Sequence, residues 1–178
     1  MSVFRKKAVG VVIEIIQADI TSLDVDAIVN AANSALAGGG GVDGAIHAAS
    51  GHELARAATR LAPCPPGHAV LTPGFRLKSR FVIHAVGPIW QGGTRDEQAT
   101  LRRTYESAFR VARDEHRIRS IAFPAISTGV YGYPKALAAE IALQVMRENS
   151  GAFERVIACL FDAESAAIYE RTRLSFAS

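Results

Sequence analysis

The stretch Ala27-Ile28-Val29-Asn30-Ala31-Ala32-Asn33-Ser34-Ala35-Leu36-Ala37-Gly38-Gly39-Gly40-Gly41-Val42-Asp43-Gly44-Ala45-Ile46-His47 changes character twice within 21 residues. Its opening, Ala27-Ile28-Val29, is short, apolar and β-branched, and reads as a buried strand ending at Asn30. Asn33 to Gly44 is too rich in glycine for regular structure and reads as a loop. From Val42 the apolar residues fall at helical spacing, with Ile46, Ala49, Leu54, Ala57, Ala58 and Leu61 on one side, so a helix is expected over Val42–Leu61. Gly51 weakens that helix, and Pro63-Cys64-Pro65-Pro66-Gly67 stops it. Strand, glycine loop and helix in that order let backbone N–H groups and a helix N-terminus face one anionic ligand, with phosphate the natural choice. The plainer alternative is a flexible turn, but four consecutive glycines carry a large backbone entropy loss for so small a task.

Outward from this unit, strands and helices alternate. Val9 to Ile16 reads as a strand, Asp19-Ile20-Thr21 as a turn, and Ala69–Thr72 and Phe81–Val86 as two further strands. Thr94-Arg95-Asp96-Glu97 has the capping-box spacing of hydroxyl and glutamate. The helix it opens would bury Leu101, Tyr105, Ala108, Phe109 and Ala112. Ser120–Phe123 is a short strand. Pro134 suits the first turn of a helix burying Leu137, Ala138, Ile141, Ala142 and Val145. Val156–Phe161 is a last strand, and Asp162 can cap a final helix reaching Tyr169. The alternation predicts an α/β fold, with helices on both faces of a largely parallel sheet. With 178 residues, no repeat and no linker, one domain is expected over residues 1–178, its core running from about 8 to 174.

Composition excludes several functions. The hydrophobic fraction is 49% and the charged fraction 21%, as in ordinary globular chains. No apolar run approaches the ~20 residues of a membrane span, and the basic N-terminus lacks a signal-peptide core. A cytoplasmic protein with no membrane partner is expected. Two cysteines, Cys64 and Cys159, and five scattered histidines form neither a disulfide framework nor metal-ligand spacing, so neither a metal nor another cofactor is expected. A net charge of +3 and no basic aromatic stripe argue against nucleic acid as a partner.

Gly39 to Gly44 matches the dinucleotide pattern G-x-G-x-x-G. That reading also needs an acidic residue about 20 positions on, and the chain has no Asp or Glu between Glu53 and Asp96. A triphosphate loop would need Gly-Lys-Ser/Thr after the glycines, which is absent. A second loop, Ser127-Thr128-Gly129-Val130-Tyr131-Gly132, again places glycines and hydroxyls between a strand and a helix. Two such loops could clasp a pyrophosphate from both sides.

Taken together, Val25 to Asn33, Gly38 to His47, Val82 to Pro88 and Ala122 to Pro134 resemble the macrodomains of the MacroD type. The nearest likeness is to bacterial O-acetyl-ADP-ribose deacetylases, over about Ile13 to Tyr169. The resemblance implies a three-layer α/β/α sandwich with a mixed, mostly parallel sheet, and a cleft for ADP-ribose at the strand ends. It implies that Asp19 accepts the adenine amino group beside the backbone of Ile20. Asn33 would hold the distal ribose, and Gly40, Gly41, Val42 and Asp43 would form the first phosphate loop with its catalytic aspartate. Ser127, Thr128, Gly129, Val130, Tyr131 and Gly132 would form the second, and Phe161 would sit beside the adenine. The implied ligands are ADP-ribose and its O-acyl derivatives, and ADP-ribosylated proteins. Ala18, Ala48-Ala49-Ser50-Gly51 and Pro66 depart from the family pattern, which leaves local loop shape and substrate range open.

From the residues alone, Asp43 divides between capping the helix behind it and activating a water. The chain has no nucleophile elbow, so water is the simpler attacking group. Asn33 divides between a ribose contact and a turn residue. Asn30, His47 and His84 read as structural, the two histidines as packed and hydrogen-bonded. Trp90 reads as packing, Tyr131 as a ribose wall or loop anchor, and Ser127 as a phosphate contact with no base beside it. A hydrolase acting through Asp43 and Asn33 is the expectation. A non-catalytic ADP-ribose reader, or a binder of poly(ADP-ribose) or RNA, is the alternative.

Overall fold

The computed structural model describes residues 11–176. The strand expected over Val9–Ile16 begins outside the described residues; of its described part, Ile13–Ile16 lie in β1, Ile13–Gln17, and Val11 and Val12 precede it. Five more strands follow: β2 (Ala27–Ala32), β3 (Ala69–Pro73), β4 (Phe81–Val86), β5 (Ser120–Phe123) and β6 (Arg155–Leu160). They form one sheet in the order β1-β6-β5-β2-β4-β3. Every pairing is parallel except β3 with β4. The short 74–80 connection explains the exception, because a parallel return needs a crossover of a dozen residues or more.

The helices are α1 (Gly41–Ser50), α2 (His52–Thr59), α3 (Glu97–Asp114), α4 (Lys135–Asn149) and α5 (Ala163–Ser175). Because successive strand residues point to opposite faces, the sheet supplies two apolar surfaces. Ile28, Val82, Ala122 and Ile157 meet Ile46 of α1 and Leu54 of α2 on one side. Val29, Ile83, Phe123 and Ala158 meet Tyr105 and Phe109 of α3, Ala142 of α4 and Tyr169 of α5 on the other. The result is the expected three-layer α/β/α sandwich with a mixed, mostly parallel sheet. No helix among the described residues is long and apolar enough to cross a membrane.

Four local expectations change. The single helix over Val42–Leu61 is two helices, since Gly51 adopts φ +86° and ends α1 before α2 starts. An L-residue rarely takes that backbone conformation. The capping box does not form: α3 starts at Glu97 behind a left-handed Asp96, and Thr94 donates to the Gln91 carbonyl. The Glu97 carboxylate turns back and accepts from the N–H groups of Gln91, Gly93 and Arg95 at 2.6–3.1 Å. Leu137 is 46% exposed, whereas Ala139 is buried; α4 lies between α3 and α5, which turns Leu137 outward. The last helix runs past Tyr169 to Ser175, with Asp162 capping it through the N–H of Ser165 at 2.8 Å.

The order of the strands positions the site. β2 and β5 are parallel neighbours, yet α1 after β2 packs on one face and α4 after β5 on the other. Their loops therefore diverge, and a crevice opens at the carboxyl ends of the strands, where open α/β sheets bind ligands.

Candidate functional site

A cleft of about 670 Å³ fills that crevice. Its first wall is the glycine loop. Gly40 is the N-cap of α1 in an extended conformation, and no side chain caps the helix. The leading N–H groups of α1 are thus available to a ligand at the positive end of the helix dipole. A methyl group on Gly44 would stand 2.5 Å from the Gly39 carbonyl oxygen, so the loop folds directly onto its helix. Gly41 has φ +58°, and a Cβ there would meet nothing within 4 Å, only the open cleft it lines. Gly41→Glu is expected to abolish anion binding at this loop, because its carboxylate would occupy and repel the site. Isothermal titration with ADP-ribose checks this on a variant shown to be folded, and normal affinity would remove the loop from the binding site.

The second wall is the loop after β5. Ser127 is held at φ +68°, and its Oγ is buried without a hydrogen-bond partner. Strained backbone of this kind collects at functional sites. The loop is anchored from the core: the Tyr105 hydroxyl accepts from the Ile126 N–H at 3.2 Å and donates to the Pro124 carbonyl at 3.3 Å. Burial pushes the Tyr105 phenol up to about 12, so it stays a neutral donor. On the outer side the Trp90 N–H donates to the Tyr131 carbonyl at 2.8 Å, and the Trp90 ring packs on Tyr133 at 4.7 Å. Trp90 is thus a packing residue, as read from the sequence. Val130 projects into solvent at 98% exposure.

Between the walls sits a polar cluster. Asp43 is buried, and its Oδ1 accepts from Asn30 Nδ2 at 2.7 Å. Nε2 of His47 lies 3.3 Å from the same oxygen, within ion-pair range for a protonated ring but without hydrogen-bond alignment. Asp43 Oδ2 is on the side of Gly39, where a Cβ would approach it to 3.3 Å. Asn33 Nδ2 donates to the Gly38 carbonyl at 2.9 Å, which braces the loop, while Asn33 Oδ1 has no partner. Asn33 therefore does the turn work and still offers an acceptor. Behind Asn30, His84 is fully buried. Burial and the neighbouring His47 lower its imidazole to about 4, so it is neutral.

At the far end, Asp19 caps the short 3₁₀ turn Ile20–Ser22: its Oδ1 accepts from the Thr21 N–H at 2.9 Å and hydroxyl at 2.7 Å. Ile20 is buried beneath, and Phe161 stands 82% exposed at the rim. Every residue singled out from the sequence as a ligand contact lines this cleft except Gly132, which closes the second loop through its N–H to the Gly129 carbonyl at 2.9 Å. Sequence reasoning did not select Lys135, which also lines the cleft and is paired with Glu164 at 2.5 Å and Asp162 at 3.7 Å. It also set Asn30 and His47 aside as structural. Their spacing from Asp43 gave no signal for Asn30, which reaches it from the sheet, while His47 follows by four residues, one helical turn.

Among known proteins, the Macro domain family matches residues 29–142, a span holding both loops and the whole polar cluster. The chain belongs to the Macro domain family. This macrodomain is 52% identical over 160 residues to a Macro domain-containing protein of Ralstonia nicotianae, covering 90% of this chain and 93% of the relative. It is 51% identical over 170 residues to the O-acetyl-ADP-ribose deacetylase of Klebsiella pneumoniae, covering 92% and 97%. A solved glycine-to-valine mutant of the Oceanobacillus iheyensis macrodomain with ADPR superposes with a TM-score of 0.85 at 40% identity, over 92% of each chain. Asp19 and Phe161 of the macrodomain lie outside the family match, just beyond the ends of β1 and β6.

Proposed function

We propose that this chain binds ADP-ribose and hydrolyses acyl esters on its distal ribose, with O-acetyl-ADP-ribose and ADP-ribose esterified to Asp or Glu of proteins as substrates. The observation that carries the reading is the placement of Asp43. It lines the same cleft as two loops whose backbone N–H groups suit a pyrophosphate, and one carboxylate oxygen is fixed by Asn30. The names of the similar proteins point the same way.

In this reading the pyrophosphate lies against the N-terminus of α1 and the Ser127–Gly132 loop. Asp19 accepts from the adenine through the oxygen its cap leaves free, beside Phe161. Asn33 Oδ1 accepts from the distal ribose. Asp43 takes a proton from a water. The water oxygen bonds to the acyl carbon, the ester C–O bond breaks, and the departing ribose oxygen takes up the proton. The products are the free carboxylic acid and ADP-ribose. Among the described residues no cluster of His, Cys, Asp and Glu suits a metal ion, and the scheme uses the chain's own groups.

The test is incubation with O-acetyl-ADP-ribose in the presence of a chelator, following acetate release. Steady multiple turnover at an unchanged rate is the expected outcome. Tight ADP-ribose binding with no turnover would return the protein to the reader class, and full inhibition reversed by zinc would overturn the water-and-carboxylate scheme.

A further inference from the structure

We propose that His84 is a positioning residue for Asp43, acting through Asn30 and locked from behind by Thr72. The inference rests on the reading that Asp43 acts on water. Asn30 and His84 are register partners on β2 and β4, and both are fully buried beneath α1. Asn30 Nδ2 stands 2.7 Å from Asp43 Oδ1 and 3.2 Å from His84 Nδ1. His84 Nε2 stands 2.9 Å from Thr72 Oγ1. The four side chains form an unbroken line from β3 through the sheet to the cleft.

Donor and acceptor rules leave one arrangement. An amide nitrogen has two hydrogens and no acceptor, so Nδ2 of Asn30 can serve both neighbours only if His84 Nδ1 is bare. The proton of the neutral ring must then sit on Nε2, where Thr72 Oγ1 accepts it. Were the Asn30 amide reversed, its oxygen would face the Asp43 carboxylate at 2.7 Å, acceptor against acceptor. Were the ring proton on Nδ1, it would meet the Asn30 N–H instead. Thr72 thus selects the tautomer, the tautomer selects the amide orientation, and the amide fixes Oδ1 of Asp43 while Oδ2 remains for water.

The neutrality of His84 is part of the device. A charged ring would carry a proton on Nδ1, reverse the amide and remove the donor from Asp43. The charged or titratable groups near it in the cluster are Asp43 and His47 of α1, the His47 ring centroid lying 6.3 Å away, and burial keeps His84 uncharged. Asn30 Oδ1 is buried without a partner, so the amide is held by its Nδ2 alone, between Asp43 and His84; a misplacement of about 1 Å in a reactive group can lower rates roughly a hundredfold.

Three variants test this: His84→Leu, which removes the acceptor; His84→Asn, whose amide oxygen falls where Nδ1 stood; and Thr72→Val, which keeps shape but removes the tautomer lock. With each shown to be folded, His84→Leu is expected to lower kcat roughly tenfold to a hundredfold with ADP-ribose affinity unchanged. Thr72→Val should lower kcat in the same sense, and His84→Asn should recover most of it. Unchanged kcat in His84→Leu overturns the proposal, as does a joint fall of kcat, affinity and melting temperature that His84→Asn fails to rescue. Should the wild-type protein not turn over any ester, the reading of Asp43 fails by itself. Imidazole ¹⁵N spectra then decide the His84 arrangement: an Nε2–H ring that moves to a mixture in Thr72→Val supports it, and an Nδ1–H ring in the wild type overturns it.

Discussion

Asp43→Ala is expected to lose about 10²- to 10⁴-fold in ester turnover, the usual share of general-base assistance, while keeping most of its ADP-ribose affinity. The division follows from where each group sits. Asp43 is in the first turn of α1, so alanine keeps the backbone N–H that faces the pyrophosphate, and removing the carboxylate also removes a negative charge beside it. What is lost is the base, held in place by the Asn30 amide at 2.7 Å. The measurement is paired: calorimetric titration with ADP-ribose, then deacetylation kinetics, on protein whose fold is confirmed. A variant that turns over normally would place the chemistry elsewhere, the substrate's own phosphates being the nearest candidates. One that loses affinity in proportion to rate would make Asp43 a binding group.

The second large effect is on stability. His84 titrates at about 4 in the folded chain, lowered from 6.5 chiefly by burial and then by His47. Between those two values the unfolded chain holds a proton that the folded chain refuses, so unfolding takes up protons and stability falls with falling pH. Nothing is lost above about pH 6.5; below it stability falls by roughly 1.4 kcal/mol per pH unit, and the loss reaches about 3 kcal/mol by pH 4. Carboxylates held low by their partners add losses in the more acidic range: Asp26, where burial pushes up but hydrogen bonds from the Arg119 backbone, Arg80 and Ser120 together outweigh it, and Glu115 beside Arg117. Denaturant unfolding of the wild type and His84→Asn across pH 7 to 4 separates the two sources. The wild-type curve should fall more steeply through the window, and parallel curves would show that His84 does not carry the effect.

Local chemistry was written in the sequence wherever a short run sufficed to express it. Phe81–Val86 and Ser120–Phe123 were readable as strands to the residue, because an apolar run bounded by breakers has one sensible conformation. Asp162 could be recognised as a cap since its partner is three residues away. The two glycine loops and Asp43 were legible for the same reason, as was the sandwich, which alternation of strand and helix implies. Where two local rules competed, the sequence misled: Gly51 was a weak point in one helix rather than the boundary of two, and Glu97 was a capping partner rather than an acceptor for a loop.

The tertiary structure alone decided what depends on neighbours distant in the chain. The sheet order brings β2 beside β5, so loops almost 90 residues apart face each other across one cleft. The same sheet sets Asn30 against His84, 54 residues on, and delivers an amide N–H to Asp43. No periodicity or spacing encodes those contacts. They come from strand register, and register is fixed by burying both faces of the sheet at once. A sequence names the groups able to bind an anion or move a proton; only packing decides which of them share a hydrogen bond, and thereby which one is held ready to act.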